Sequence, residues 1–514
     1  MGRYPVIAAA MILAAATARS QHVYETSKNS AGEVEFHSSN YGIFGLNVAN
    51  ADAGVRYPRG SSRVYLFGSG LWFGTQKRIQ GELSPLTFIT YNPISAESWA
   101  FPGARTPDPA AALPVIHNSV DHDRTTGSYT GTKQPFSWPL WIRPGETAST
   151  LNAGTFVPLN NQRSSQGGTY ARPAFVSGAD EQIFSRFHDG ELSRYQPAEA
   201  ALQGFPIGLQ FQQNIFAWSQ GAYASTVLIQ HQIVNVSNDT LHNCVVAQVS
   251  DPDIGMGMND HIRFFKERPE LRTAYAWTDS ESSGPFGVLG IALIEAPVTM
   301  TNGFLSSDED ARKVYRQMGR VGSYQTWQIE QDPATSQQRY DFLNSGIQED
   351  AIGPMDIRTM LATSPFSMKP GDTAYFTIAY IIADQRPDPT APAGQSMLER
   401  VITSITEDYY EGAFSSAASV PAVSGMDRGI SLAAVPNPAK GHLVLRTTFD
   451  MPSSESRIRI TNTLGETVML RHLDAHPAGP HDERIDVAEL PAGVYIATVE
   501  SGGRRGTVRL TIVN

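Results

Sequence analysis

The chain holds a single cysteine, Cys244, among 514 residues, and that scarcity removes one class of fold at the outset. No intramolecular disulfide can form, so the chain is not a small disulfide framework and must be held by its own core or by bound ions. Cys244 itself sits in the apolar run Cys244-Val245-Val246, the setting of a structural thiol rather than a nucleophile. Charge is also scarce: 17% of residues are Asp, Glu, Lys or Arg, and they balance to −11. No cluster of Lys and Arg is present to neutralise phosphates, which excludes nucleic acid as a main partner and leaves the acidity to serve solubility. Catalytic signatures are missing too. The 12 histidines form no HExxH, and there is no Walker loop, no GxSxG elbow and no GxGxxG, since Gly255-Met256-Gly257 runs on into Asn259-Asp260. Beyond the N-terminus no run approaches the ~18 apolar residues of a membrane helix, so the mature chain is expected to lack a transmembrane segment.

What the sequence does contain is turn chemistry. With 44 Gly, 33 Pro and 41% hydrophobic residues, the composition suits loop-rich β structure better than helical bundles, and the length suits two to four domains. Residues 1–20 read as a secretory signal peptide: Arg3, then the apolar run Val6 to Ala16, then small residues around Ala18. The expected organisation is a β-rich body over 21–414, with a subdomain break near 175–205, a Ser/Ala-rich linker over 415–430, and a terminal domain over 431–514. The fold class is mainly β: a β-sandwich-rich body with long loops and one amphipathic helix, plus a small immunoglobulin-like β-sandwich.

Within the body, Leu209, Phe211, Ile215 and Ala217 alternate with Gln210, Gln212 and Asn214, and Val227, Ile229 and Ile233 alternate with Leu228, Gln230 and Gln232. Alternation of this kind predicts half-buried strands. The turn residues of Asn235 to Asn243 then predict an antiparallel hairpin between the second strand and Cys244 to Val249. A Pro370-Gly371 turn should introduce a strand from Ala374 to Ala383, with further apolar segments at Gly287 to Ala296 and Arg358 to Phe366. Gly68, Gly70 and Gly74 around Leu71-Trp72-Phe73 point to backbone packed closely against rings. The one helix is announced by Ser396 and Glu399, a capping box, followed by Leu398, Val401, Ile402, Ile405 and Tyr409 on one face.

Candidate chemistry is sparse. The loop Ser250 to Asp260 follows a strand and concentrates Asp251, Asp253, Asn259 and Asp260, the oxygen ligands that a hard cation such as calcium requires. It is not an EF-hand, because Met256 and Ile262 stand where the bend glycine and the bidentate glutamate belong. The competing reading is a strand-terminal turn whose Asp side chains cap backbone amides. His122 between Asp121 and Asp123, and His188 beside Asp189, are weaker candidates for a metal or acid–base site. Trp99, Trp138 and Trp141 lie in Pro-rich stretches and are the candidates for a carbohydrate or protein ligand, whereas Trp72, Trp218 and Trp277 belong to core patterns.

The last segment has short apolar runs at Leu443 to Leu445, Ile458 to Thr461, Thr467 to Leu470, Val494 to Val499 and Val508 to Val513. Pro436-Asn437-Pro438 opens it, Asn462 and Gly465 mark a reversal, and Leu490-Pro491 with Gly493 precedes a strand containing Tyr495. These features resemble the C-terminal sorting domain of type IX secretion cargo. The resemblance implies export through the periplasm to the cell surface or medium, and partners in the outer-membrane secretion and attachment machinery. The segment YPRGSSRVYLFGSGLWFG is similar to the opening of large uncharacterised exported proteins with the same kind of tail, which implies no activity. Two functional classes remain: a non-enzymatic surface or structural protein, and a secreted hydrolase acting on polysaccharide or protein, which needs only two carboxylates that the sequence cannot pick out.

Overall fold

The computed structural model describes residues 24–105, 114–122, 179–279, 286–297, 319–384, 386–387, 394, 396–411, 430–449, 452, 456–462, 467–473, 475, 477–501 and 504–513. Two compact units divide the chain, the first made of Met1–Ser219 and Tyr223–Ser415, the second centred on Ser416–Asn514. The expected signal peptide and most of the expected linker lie outside the described residues.

Among the described residues the body is two large antiparallel sheets sharing one core, plus a two-stranded ribbon of Leu46–Asn47 and Asp52–Ala53. At the centre of the first sheet, the long strand Val64–Ile79 pairs with Leu241–Pro252, which pairs in turn with Arg358–Thr363. In the second, Thr226–Asn235 lies between Leu209–Ala217 and Thr373–Ala383, and Glu181–His188, Val288–Glu295, Thr273–Thr278, Asp260–Phe264 and Ala351–Met355 extend it. Leu71, Phe73, Val246 and Met360 of the first sheet share a buried cluster with Phe211, Ile229, Ile291 and Phe376 of the second. Within the range of the expected break, Glu181–His188 pairs with Leu209–Ala217 on one side and with Phe101–Pro102 on the other.

The expected hairpin does not form. Thr226–Asn235 and Leu241–Pro252 belong to different sheets, so the turn between them is an arch that carries the chain from one layer to the other. Asn235 fixes that arch, donating from Nδ2 to the Asp239 carbonyl (2.8 Å) and the Met368 carbonyl (3.2 Å). Turn residues report that a chain reverses, but pairing is decided by which faces must be buried, and both of these strands are buried on both faces. Half-burial fails for the same reason. Every residue of Leu209–Ala217 is buried, and its polar side chains are satisfied laterally: Gln212 donates to Gln232 (3.2 Å) and accepts from Arg186 (3.1 Å), Gln182 donates to Asn214 (2.9 Å), and Gln213 meets His231 (3.0 Å).

Other expectations hold. Gly371 turns with a positive φ of 84° and leads into Thr373–Ala383. A Cβ on Gly68 would lie 2.9 Å from Cε2 of the Tyr91 ring and 2.8 Å from its hydroxyl, so the close approach of backbone and ring is real, the ring being that of Tyr91. The helix Met397–Glu411 carries its capping box, Ser396 N donating to Glu399 Oε2 (3.0 Å) and Glu399 N to Ser396 Oγ (3.2 Å). Leu398, Val401, Ile402, Ile405 and Tyr409 are all buried. It is not alone, however. Ser336–Leu343 is a further, mostly polar helix with its own capping box, between Thr335 and Gln338.

The second unit is a seven-stranded antiparallel sandwich over Ile430–Ile512 among the described residues, with one parallel contact where Ala439 faces Ile512. Leu443, Leu445, Ile458, Ile460, Ala497, Val499 and Leu510 fill its core.

Candidate functional site

Two links between the sheets of the body run side by side. One leaves Leu241–Pro252 of the first sheet and enters Asp260–Phe264 of the second; the other leaves Ala351–Met355 of the second and enters Arg358–Thr363 of the first. Asp260 pairs with Met355, which holds the two links in register. Asp251 comes from the end of the strand Leu241–Pro252, Asp253 from the first link and Asp356 from the second, and one carboxylate oxygen from each lies within 4.8 Å of the others.

Arg358 is the cation of this cluster. It forms an ion pair with Asp251 Oδ2 at 3.2 Å and donates to Asp356 Oδ1 at 2.5 Å. The Tyr91 hydroxyl also reaches Asp251 Oδ2, at 3.4 Å. Asp251 is 3% exposed, and its other oxygen, Oδ1, is buried with no hydrogen-bond partner among the described residues. Burial drives the Asp251 carboxyl well above the usual carboxylate range, against the opposing pull of Arg358. Burial, and after it the charge of Asp356, pushes the Asp253 carboxyl up to about 7.

The loop is shaped around Asp253. Gly257 turns at a φ of 64°, and a Cβ there would collide with the Asp253 carboxylate, so only glycine lets the loop close over it. Asp260 does what the capped-turn reading expects: both its oxygens approach the Ile254 amide, at 3.1 and 3.3 Å. Asn259 is half-buried on the same loop. Of the four loop residues predicted as ligands, Asp251 and Asp253 thus come together, Asp260 is occupied by its own loop, and Asp356, which the sequence reading missed, completes the group. Its only local signal was the Asp356-Ile357-Arg358 triplet at the start of a strand.

The weaker candidates are used by the fold. His188 accepts at Nδ1 from the Gly190 amide (2.9 Å), and Asp189 accepts from the Gly208 and Leu209 amides (2.8 Å each). Burial raises the Asp189 carboxyl to about 6. His122 is buried with its ring 5.8 Å from that of His117, whose pKa burial lowers to about 3; Asp121 is half-buried beside it, and Asp123 lies outside the described residues. Trp99 is not a surface anchor. It is 1% exposed, held between Tyr195 (4.8 Å) and the Arg339 guanidinium (5.0 Å). Trp138 and Trp141 lie outside the described residues. Trp72 and Trp218 are buried as expected, and Trp277 stacks on His261 (5.2 Å) beneath Arg386 (4.9 Å).

In the second unit the opening motif ties the first strand to the last. Asn437, between Pro436 and Pro438, donates from Nδ2 to the Arg509 carbonyl (2.8 Å) and accepts at Oδ1 from the Thr511 amide (2.7 Å). The strands flanking Asn462 and Gly465, Ser456–Asn462 and Thr467–Leu473, pair as a hairpin; Gly465 itself lies outside the described residues. Leu490 packs partly buried on the core, and the Tyr495 hydroxyl donates to the Pro491 carbonyl (2.8 Å), bracing the turn through Gly493.

No curated protein matches the sequence. Among solved structures, this chain is similar to the β-glucuronidase of Parabacteroides merdae (8% identity, 52% of this chain and 28% of that one, TM-score 0.17). It is also similar to dimeric latent PorU from Porphyromonas gingivalis (10% identity, 94% and 32%, TM-score 0.15). The BSP domain of a biofilm associated protein matches at 7% identity over 96% and 81%, with a TM-score of 0.14. Likenesses this faint carry no argument about fold or activity, and the chain spans less than a third of the glucuronidase and PorU chains. The family match is of a different kind: residues 434–514 match the secretion system C-terminal sorting domain. No helix among the described residues is long and apolar enough to cross a membrane. The chain therefore carries a type IX sorting domain, which marks it as cargo of that route, exported to the cell surface or the extracellular space.

Proposed function

We propose that the body is a non-enzymatic binding or structural protein, displayed on the surface or released, whose ligand is carbohydrate, protein or its own copies. The observation that carries the export half of this reading is the sorting domain over 434–514. For the body, the support is how its reactive groups are used. Burial pushes the Cys244 thiol up to about 12, Asp189 caps backbone amides, and Trp72 donates from Nε1 to the Tyr91 carbonyl (2.8 Å). These are structural duties. The secretion machinery of the outer membrane is the partner of the tail, which presents its Pro-Asn-Pro opening and its last strand as one bonded surface.

Cell fractionation tests the first half: a chain ending after Arg428 is expected to accumulate in the periplasm, and its appearance outside at wild-type level would overturn the reading. For the second half, purified chain incubated with polysaccharide and with denatured protein is expected to release neither reducing ends nor peptides. Release of either would make it a hydrolase.

A further inference from the structure

We propose that Asp251, Asp253 and Asp356 bind a calcium ion that staples together the two links between the sheets of the body. The charge count asks for such an ion. With all three carboxylates ionised, as a bound cation would keep them, the one guanidinium, that of Arg358, leaves two negative charges beside Asp251, which is 3% exposed. A buried carboxylate without a counter-charge is costly to keep ionised, and a divalent cation balances this group to neutrality.

A second observation is independent of that count. Arg358 and Tyr91 both engage Oδ2 of Asp251, while Oδ1 is buried with no hydrogen-bond partner among the described residues. An oxygen in that position has lost its water and gained nothing in the protein, which is the state of a ligand atom awaiting its ion.

Geometry and donor type both admit calcium. Calcium sits ~2.3–2.6 Å from its oxygens, so ligands on opposite sides of it are ~4.6–5.2 Å apart; magnesium, at ~2.0–2.1 Å, would draw them in to ~4.2 Å. The three carboxylate oxygens lie within 4.8 Å of one another, a spacing that one calcium ion can span. Oxygen-only donors suit the same hard cation. Asp253 and Asp356 come from the links, and Asp251 from the end of the strand Leu241–Pro252 that leads into the first of them.

The test uses the full chain after treatment with chelator. Titration with calcium chloride, followed by calorimetry, is expected to show binding with a dissociation constant of ~0.1–1 mM, as in other extracellular sites. At about tenfold that concentration the body should melt ~2 °C higher than in chelator, a small rise because a unit of this size unfolds with a large entropy. Asp356→Asn and Asp251→Asn should each remove the binding heat, and Asp279→Asn, a surface change at the pair with His261, should leave it intact. Should Asp251→Asn fail to fold, the wild-type titration and Asp356→Asn decide the matter. Absence of binding heat in the wild type, calcium binding undiminished in Asp356→Asn, or magnesium binding as tightly as calcium would each overturn the assignment.

Discussion

Asn437→Ala isolates the bond between the opening of the sorting domain and its final strand. The side chain makes two hydrogen bonds to that strand, one to the Arg509 carbonyl and one from the Thr511 amide, and both are solvent-exposed. A buried hydrogen bond contributes ~0.5–1.5 kcal/mol net, and exposure places these two at the lower end, ~1 kcal/mol together. No cavity forms, because Asn437 is exposed and alanine leaves the core residues Leu510 and Ile512 in place. For a domain of this size ~1 kcal/mol corresponds to a fall of ~4–8 °C in melting temperature. Hydrogen exchange on the intact chain reads the same quantity locally. The Thr511 amide and its neighbours in Arg504–Ile512 should exchange about fivefold faster in the variant, with amides of the body unchanged. Unaltered exchange at Thr511 would refute the argument, since it would mean that strand pairing alone holds the last strand and that the asparagine bonds are incidental.

Three further outcomes are expected. The Asp189 carboxyl, raised from 3.8 to about 6, makes the folded state the better proton binder, so its share of stability is full below the unfolded value and is lost as pH rises through 6. That share is ~3 kcal/mol; urea melts at pH 4 and pH 8 should show a smaller difference for Asp189→Asn than for wild type, and an unchanged difference would count against it. Leu398→Ala, which deletes a fully buried side chain where the helix Met397–Glu411 meets Gly290, should cost ~2–5 kcal/mol in the same assay. Cys244, buried and with its thiol pushed up to about 12, should not react with an aromatic disulfide reagent until denaturant is added; rapid labelling of native chain would show that the strand opens.

Much of the fold was legible wherever a local rule decided the outcome. Ser396 and Glu399 announced a helix because a capping box acts within one turn, and Pro370-Gly371 announced a reversal because φ is set residue by residue. Thr335 and Gln338 form the same box, but the sequence reading passed over it, because the helix they begin, Ser336–Leu343, has few large apolar residues to mark a face. Pairing was not legible. Asn235 to Asn243 looks the same whether its strands lie side by side or in opposite layers, and only the burial of both faces of Leu241–Pro252 distinguishes the two. The candidate site divides along the same line. Asp251 and Asp253 stand on one loop and could be read together, whereas Asp356 joins them only because Asp260–Phe264 and Ala351–Met355 are neighbours in the second sheet. Trp99 misled in the opposite sense, since a Pro-rich setting suggests exposure and the ring is instead covered by Arg339 and Tyr195.

The different connectivity of the two units has a consequence in time. In the terminal unit, Ile430–Lys440 pairs with His442–Phe449, Ser456–Asn462 with Thr467–Leu473, and Gly493–Ser501 with Arg504–Ile512, each a pairing of immediate neighbours in the chain. In the body the central pairings join Val64–Ile79 to Leu241–Pro252 and Thr226–Asn235 to Thr373–Ala383, and each must wait for distant segments to meet. Loops that long are slow to close, and short hairpins are fast. Although it is synthesised after the body, the address, whose most distant pairing joins Ala439 to Ile512, should therefore be complete before the body it labels has finished folding, and the chain would be recognisable as cargo while its larger part is still assembling.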